Sequence, residues 1–277
     1  MFLVRSLARN VASRSAAAGW RCFSDQAAVS AAAINKQARL DLATAYRLLD
    51  KERLNEGVCN HLTARVPSAD GKHEILLLIP YGMHWSQVTA SSLIGVTRDG
   101  KVVEGDGIAE LAAATIHGGV HSSRPNAHVV LHTHMPYATA LTCLKDAKIE
   151  MVHQVSLRFF KGVGYDRNYT GFSDHISEGN RLAEVMGTHN DVLMMAHHGV
   201  IVTGPTIARA VDDLYYLERA CMYQVLATST GKEIQTIDDE LAEKTYHMWK
   251  KDADTYANSF FSAWQKRLLK EDPSIAD

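Results

Sequence analysis

The sequence predicts an α/β fold: a central, mostly antiparallel sheet flanked by helices in a three-layer α/β/α-like arrangement. Two observations predict it. Short apolar runs of strand length recur between turn residues, as at 74–80, 129–134 and 192–195. Longer segments alternate with them, with apolar residues every three or four positions, the period of a helix that buries one face.

The elements follow in chain order. A helix over 31–53 carries Ile34, Ala38, Leu42, Ala45 and Leu48 on one stripe. Strands are expected at 58–66, 74–80 and 93–97, the last pairing with 101–103 as a hairpin around an Arg-Asp-Gly turn. A helix is expected over 108–122. The run VVLHTH, 129–134, reads as a strand, and Pro136 opens the next helix, where its missing N–H is tolerated. A strand at 162–165 precedes a helix at 173–186, with Ser173 as its N-cap. Strands at 192–195 and 200–202 flank Ala-His-His-Gly. Thr206 then caps a helix to 228, with Gly231 just past its end. Residues 25–235 read as one domain and 236–277 as a helical extension. In that extension Trp249, Tyr256, Phe260, Phe261 and Trp264 recur at helical spacing as packing residues.

The chain has 277 residues, 46% hydrophobic and 22% charged, which is ordinary globular composition with enough length for a sizeable core. A net charge of −2 and the lack of any Lys/Arg run give no field that would attract nucleic acid. No apolar stretch approaches the roughly 20 residues a transmembrane helix needs. Four cysteines show no CxxC pair, so no disulfide framework is legible and a reducing compartment fits. Cys59, Cys143 and Cys221 have apolar neighbours and are expected as small core residues.

Residues 1–24 differ from the rest. Arg5, Arg9, Arg14 and Arg21 lie among Ala, Ser, Leu and Val, and the first acid is Asp25. That is the composition of a cleaved mitochondrial transit peptide, which sends the protein to the matrix; a plastid leader, or a disordered tail on a cytoplasmic protein, is the alternative. Without those four arginines the 29 basic residues fall to 25, against 31 acidic ones.

Fourteen histidines make chance pairs common, so placement matters. His132 and His134 sit two apart on a strand and so share a face. Two imidazoles leaning together there are able to share one ion. The Ala-His-His-Gly run at 196–199 also follows an apolar strand, and Gly199 permits close backbone approach. Three histidines with an open fourth position make a catalytic rather than a structural ion site. The competing reading makes His132 and His134 hydrogen-bonded core residues. His61, His73, His84, His121, His128, His175, His189 and His247 read as surface or satisfied polar groups. No GxSxG elbow, Walker loop or GxGxxG is present. A two-His-one-carboxylate oxygen-using site lacks a well-placed acid.

Several stretches together resemble the class II aldolase/adducin head domain. These are EGVCNHLTARVP (56–67), IPYGMHWSQVTASSLI (79–94), IHGGVHSSRPNAHVVLHTHMPYATAL (116–141), MAHHGVIVTG (195–204) and ERACMYQVLA (218–227). The resemblance covers about 35–230. It implies homotetramers with sites at subunit interfaces. It also implies a divalent ion, zinc or else manganese or iron, on His132, His134 and His198, polarising a carbonyl and stabilising an enediolate. Asn60 and Gly82 match positions that hold a substrate phosphate.

Three departures accompany the matches. The family's acid/base Glu falls at Ala113, and its two phosphate-binding serines fall at Leu111 and Ala112. A dehydratase branch places its Glu after His-Gln, here His153 and Gln154, but the next residue is Val155. Glu110, one helical turn before Ala113, and His117, one turn after it, are the stand-in proton carriers. Loss of a positioned acid/base costs roughly 10²- to 10⁴-fold in rate. Two readings result. One is a metal-dependent lyase or isomerase on a small hydroxy-carbonyl or sugar-phosphate substrate. The other is a catalytically inactive, oligomeric adducin-like head or scaffold. The sequence shows no long tail with a basic cluster of the adducin kind, so actin and spectrin are not expected as partners.

Overall fold

The computed structural model describes residues 30–98, 100–171 and 176–277. The segment read as a leader and the Ser173 cap lie outside the described residues. Among the described residues, eight strands form one sheet. They are β1 (His61–Pro67), β2 (Glu74–Leu78), β3 (Ile94–Val96), β4 (Val102–Glu104), β5 (Val129–Thr133), β6 (Val163–Asp166), β7 (Val192–Met195) and β8 (Gly199–Gly204). Their order across the sheet is β4-β3-β2-β1-β5-β8-β7-β6. Neighbours run antiparallel except β6 and β7, which are parallel. That pair is joined through α4 (Ile176–Met186), as a parallel connection requires a crossover.

Period-two alternation along the central strands creates the three layers. Val129 and Leu131, Val192 and Met194, and Val200 and Val202 turn to one face. There they pack with α1 (Ala31–Lys51), α3 (Pro136–Thr142), α5 (Ile207–Thr228) and α6 (Asp239–Glu271). Val130, Leu193, Met195 and Ile201 turn to the other face and meet Ile116 and Val120 of α2 (Leu111–Ser123) and Leu182, Ala183 and Met186 of α4. His132 and His134, in step with Val130, therefore belong to the α2/α4 side. Helices α2 and α4 cross at bare backbone: a Cβ on Gly119 would lie 2.4 Å from the carbonyl carbon of Gly179.

The structure moves several boundaries. The first strand begins at His61 rather than 58, because Gly57 takes a left-handed φ of +55° and Asn60 Oδ1 accepts the Glu56 N–H in a turn. Helix α2 begins at Leu111 rather than 108. Glu110 is its N-cap residue, with extended backbone at φ −67° and ψ 136°. Glu110 and Ala113 therefore do not share a helical face one turn apart. Thr206 does cap α5, accepting from Arg209 N–H at 3.2 Å. Cys221 is a buried core residue as expected, but Cys59 and Cys143 are exposed. Cys59 lies in the turn before β1 and Cys143 at the C-terminal end of α3, so apolar sequence neighbours did not translate into burial. The segment after 236 is one helix of 33 residues. Its Phe261 and Leu268, and Ile275 beyond its end, are buried in the same core as the sheet.

Candidate metal centre

Strand ends build the site. His132 is the penultimate residue of β5 and His134 follows its last; His198 precedes β8, the strand that β5 pairs with. His197 adopts a left-handed φ of +58°, and His198 N–H bonds back to Met195 O, turning the chain between β7 and β8 so that His198 faces the pair. Ring centroids lie 5.0 Å apart for His132–His134, 4.8 Å for His132–His198 and 5.0 Å for His134–His198. One nitrogen from each falls within 4.8 Å of the others. Gly199 is required here: a Cβ would lie 2.6 Å from Thr133 O and 2.8 Å from His134 Cδ2.

Hydrogen bonds decide which nitrogens are free. His132 Nδ1 donates to Val200 O at 3.0 Å, and His134 Nδ1 donates to Glu56 Oε2 at 2.6 Å. A ligating imidazole is neutral and carries one N–H, so in the ligating forms both Nε2 atoms present lone pairs. They face each other at 3.2 Å. Two lone pairs at that distance repel unless a cation lies between them. Nitrogens about 2.0–2.1 Å from one tetrahedral ion would be roughly 3.3 Å apart. The donor set thus fits a divalent ion, and Glu56 supplies the outer carboxylate that commonly orients a ligating histidine. Burial, reinforced by the neighbouring histidines, holds His132 well below the usual imidazole range and His198 at about 4, so both are neutral ligands at pH 7.

Asn60 is fully buried. Its Oδ1 accepts from Glu56 N–H at 2.7 Å and His134 N–H at 3.2 Å, while its Nδ2 is buried with no partner. Gly82 lies in a turn with φ +85° and open space where a Cβ would be. Ala113 is buried against Leu78, Ile94 and Val96, and Val155 packs against the main core. Glu110 Oε2 lies 4.0 Å from His61 Nε2, and burial raises its carboxyl pKa. His117 does not reach the histidine set. It is fully buried one layer behind, bonded to His61 and Thr63.

Sequence reasoning passed over His61. It pairs in register with His132 across β1 and β5, with ring centroids 5.1 Å apart. The available signal was its place at a strand start beside the Asn60 turn. Glu56 was likewise missed; only the contact with His134 reveals it.

Residues 40–225 match the model of the Class II Aldolase and Adducin N-terminal domain. The chain belongs to that family, and its fold is the aldolase-like one. It is 33% identical over 208 residues to a protein of Caulobacter vibrioides provisionally named an aldolase class 2 protein, covering 75% of this chain and 79% of that one. It is 38% identical over 210 residues to an adducin-related protein of Schizosaccharomyces pombe, covering 72% of this chain and 58% of the relative. Mouse alpha-adducin is 31% identical over 205 residues, of which this chain spans only 27%. Among solved structures, an aldolase II superfamily protein from Pseudomonas syringae superposes with a TM-score of 0.81 at 29% identity, covering 88% of this chain and 96% of that one. The L-fuculose 1-phosphate aldolase from Glaciozyma antarctica gives 0.75 at 25% identity, covering 86% and 92%.

Proposed function

We propose that this protein is a metal-dependent lyase or isomerase acting on a small hydroxy-carbonyl compound, with a zinc-type ion (manganese or iron being the alternatives) on His132, His134 and His198. The carrying observation is the approach of the His132 and His134 Nε2 atoms to 3.2 Å, with the Nδ1 of each held in its own hydrogen bond and His198 completing the set. When bound, the ion acts as a Lewis acid that polarises the substrate carbonyl. The chain's own residues bind and move protons. The unpartnered Asn60 Nδ2 donates to a substrate oxygen, and the Gly82 turn, open where a Cβ would be, is the second substrate contact that the family resemblance implies. Glu110, whose raised pKa brings it closer to neutrality, exchanges the substrate's α-proton in place of the absent carboxylate at Ala113. His117, being enclosed, acts only through His61.

Two subsidiary readings complete the proposal. The chain forms a homo-oligomer, with a tetramer implied by the family, and residues 1–24 direct it to mitochondria. The composition of 1–24 supports the second, and an import assay with isolated mitochondria tests it.

The adducin-like scaffold is the second reading, favoured by Ala113 buried in an apolar cluster where an acid/base would stand. Proton exchange separates the two. Zinc-loaded protein incubated with dihydroxyacetone in D₂O should incorporate deuterium at the α-carbon above the rate of free zinc, and Glu110→Gln should abolish the excess. Enzyme at substrate concentration giving no excess exchange would favour the scaffold.

A further inference from the structure

Behind the three histidines a chain of hydrogen bonds runs into the protein. His61 Nδ1 meets His117 Nε2 at 2.8 Å. His117 Nδ1 meets Thr63 Oγ1 at 2.6 Å, and the same hydroxyl meets His121 Nε2 at 2.8 Å. The chain ends at His121 Nδ1, 2.8 Å from the backbone oxygen of Ala127. The register builds it: residues 61 and 63 of β1 turn to the α2 side, where positions 117 and 121, one helical turn apart, receive them. All four side chains are buried. One proton on each imidazole completes the relay, every link taking one donor and one acceptor.

The last link fixes every donor. A backbone oxygen only accepts, so His121 carries its proton on Nδ1 and its Nε2 is a lone pair. Thr63 must donate to that lone pair, which leaves the Thr63 oxygen to accept from His117 Nδ1–H. His117 Nε2 is then a lone pair and must accept from His61 Nδ1–H. What remains is His61 Nε2, unprotonated and turned toward the site. It faces Glu110 Oε2 across 4.0 Å, too far for a hydrogen bond between them. It also lies outside the group of nitrogens that converge on one point. The opposite direction of the relay would set the His121 Nδ1 lone pair against the Ala127 oxygen at 2.8 Å, a repulsive contact.

We infer that His61 is a specificity-determining residue, an obligate hydrogen-bond acceptor at Nε2 that selects a carbonyl substrate bearing a hydroxyl on the adjacent carbon. His61 Nε2 has no hydrogen-bond partner of its own across that 4.0 Å separation, and the hydroxyl of such a substrate supplies the donor it accepts from. The inference rests on the carbonyl-binding reading above, but the tautomer of His61 stands without it.

Both parts are measurable on the full chain. With ¹⁵N-histidine labelling, NMR should show His61 Nε2 as an unprotonated nitrogen and Nδ1 as an N–H. Thr63→Val, which cuts the relay while keeping side-chain shape, should leave a mixture of the two tautomers. A protonated Nε2 in the unaltered protein would overturn the inference. For the ligand, zinc-loaded protein is titrated with hydroxyacetone and with butanone, in which a methyl replaces the hydroxyl. Hydroxyacetone should bind roughly tenfold more tightly, and His61→Leu should bring the two to parity. Equal binding by the unaltered protein overturns the selection. Failure to take up zinc would overturn the metal reading, and the nitrogen shifts would still uphold or refute the acceptor.

Discussion

Replacing Gly199 by alanine probes the centre without replacing a ligand. The new Cβ would stand 2.6 Å from Thr133 O, 2.8 Å from His134 Cδ2 and 3.4 Å from His134 Cα. Carbon atoms pack at about 3.5–4.0 Å, so the His134 ring must retreat by roughly 0.7 Å or the end of β5 must part from β8. Overpacking of this kind costs about 1–3 kcal/mol. For a chain this size that lowers Tm by roughly 2–10 °C. Metal–ligand distances tolerate only about ±0.2 Å, so the same displacement should weaken zinc binding by at least about tenfold. Circular dichroism melting reads the first effect, and competition with a chromophoric chelator reads the second. A variant with unchanged Tm and unchanged zinc affinity would refute the claim that Gly199 exists to admit His134.

The remaining predictions concern neighbouring parts of the same layer. Gly118 and Gly119 are adjacent in α2 yet should respond oppositely. A Cβ at 118 meets nothing within 4 Å, so Gly118→Ala should stabilise by about 0.5–1 kcal/mol in urea unfolding. Gly119→Ala collides with Gly179 and should destabilise by about 1–3 kcal/mol or more; matching signs would contradict the assigned helix crossing. Glu56→Gln should weaken zinc affinity by roughly 10- to 100-fold with little change in Tm, and full-strength binding would remove Glu56 from the centre. The metal-free protein should lose stability in mild acid. His121 at about 4 and His61 at about 3 lie below their unfolded value of 6.5, because burial disfavours their charged forms. The unfolded chain then binds more protons, so their contribution is complete above pH 6.5 and drains away as pH falls toward 4 and then 3. His121 alone accounts for about 3 kcal/mol. Glu218, raised to about 7 by burial, works in the opposite sense between pH 4.5 and 7. Asp212, raised to about 6, and Glu110 and Asp213, whose carboxyls burial also raises, work with Glu218. Five depressed histidines oppose these four carboxyls, so a urea midpoint that rises from pH 7 to pH 5 would contradict the assignment.

What could be read in advance follows physical range. Alternation at 129–134 is local and puts His132 and His134 at a strand end, and the apolar runs at 192–195 and 200–202 bracket His197 and His198; the choice of His198 between those two came from the family resemblance. Gly199 was legible because the residue type already signals close approach. Start positions were less legible. Three polar or special residues, Gly57, Asn60 and Glu110, end or delay elements through hydrogen bonds and φ values that apolar period does not encode. The outer partners were not legible, because His61 with His117 and Glu56 with His134 are 56 and 78 residues apart in sequence. The exposure of Cys59 and Cys143 has the same origin: sequence neighbours do not determine which way a turn faces. The anchoring of the chain's end was not legible for the same reason: Ser91 N–H donates to the backbone oxygen of Asp277 at 2.7 Å and Ala90 N–H to that of Ile275 at 2.9 Å.

The account stands or falls on the convergence of His132, His134 and His198 on one ion. Elemental analysis of the purified full chain, after zinc addition and dialysis, should find one ion per chain. A His132→Ala/His134→Ala/His198→Ala variant that melts cooperatively should find none. A folded, unaltered protein that retains no zinc, manganese or iron would contradict the centre and leave the three histidines as a structural cluster in an adducin-like scaffold.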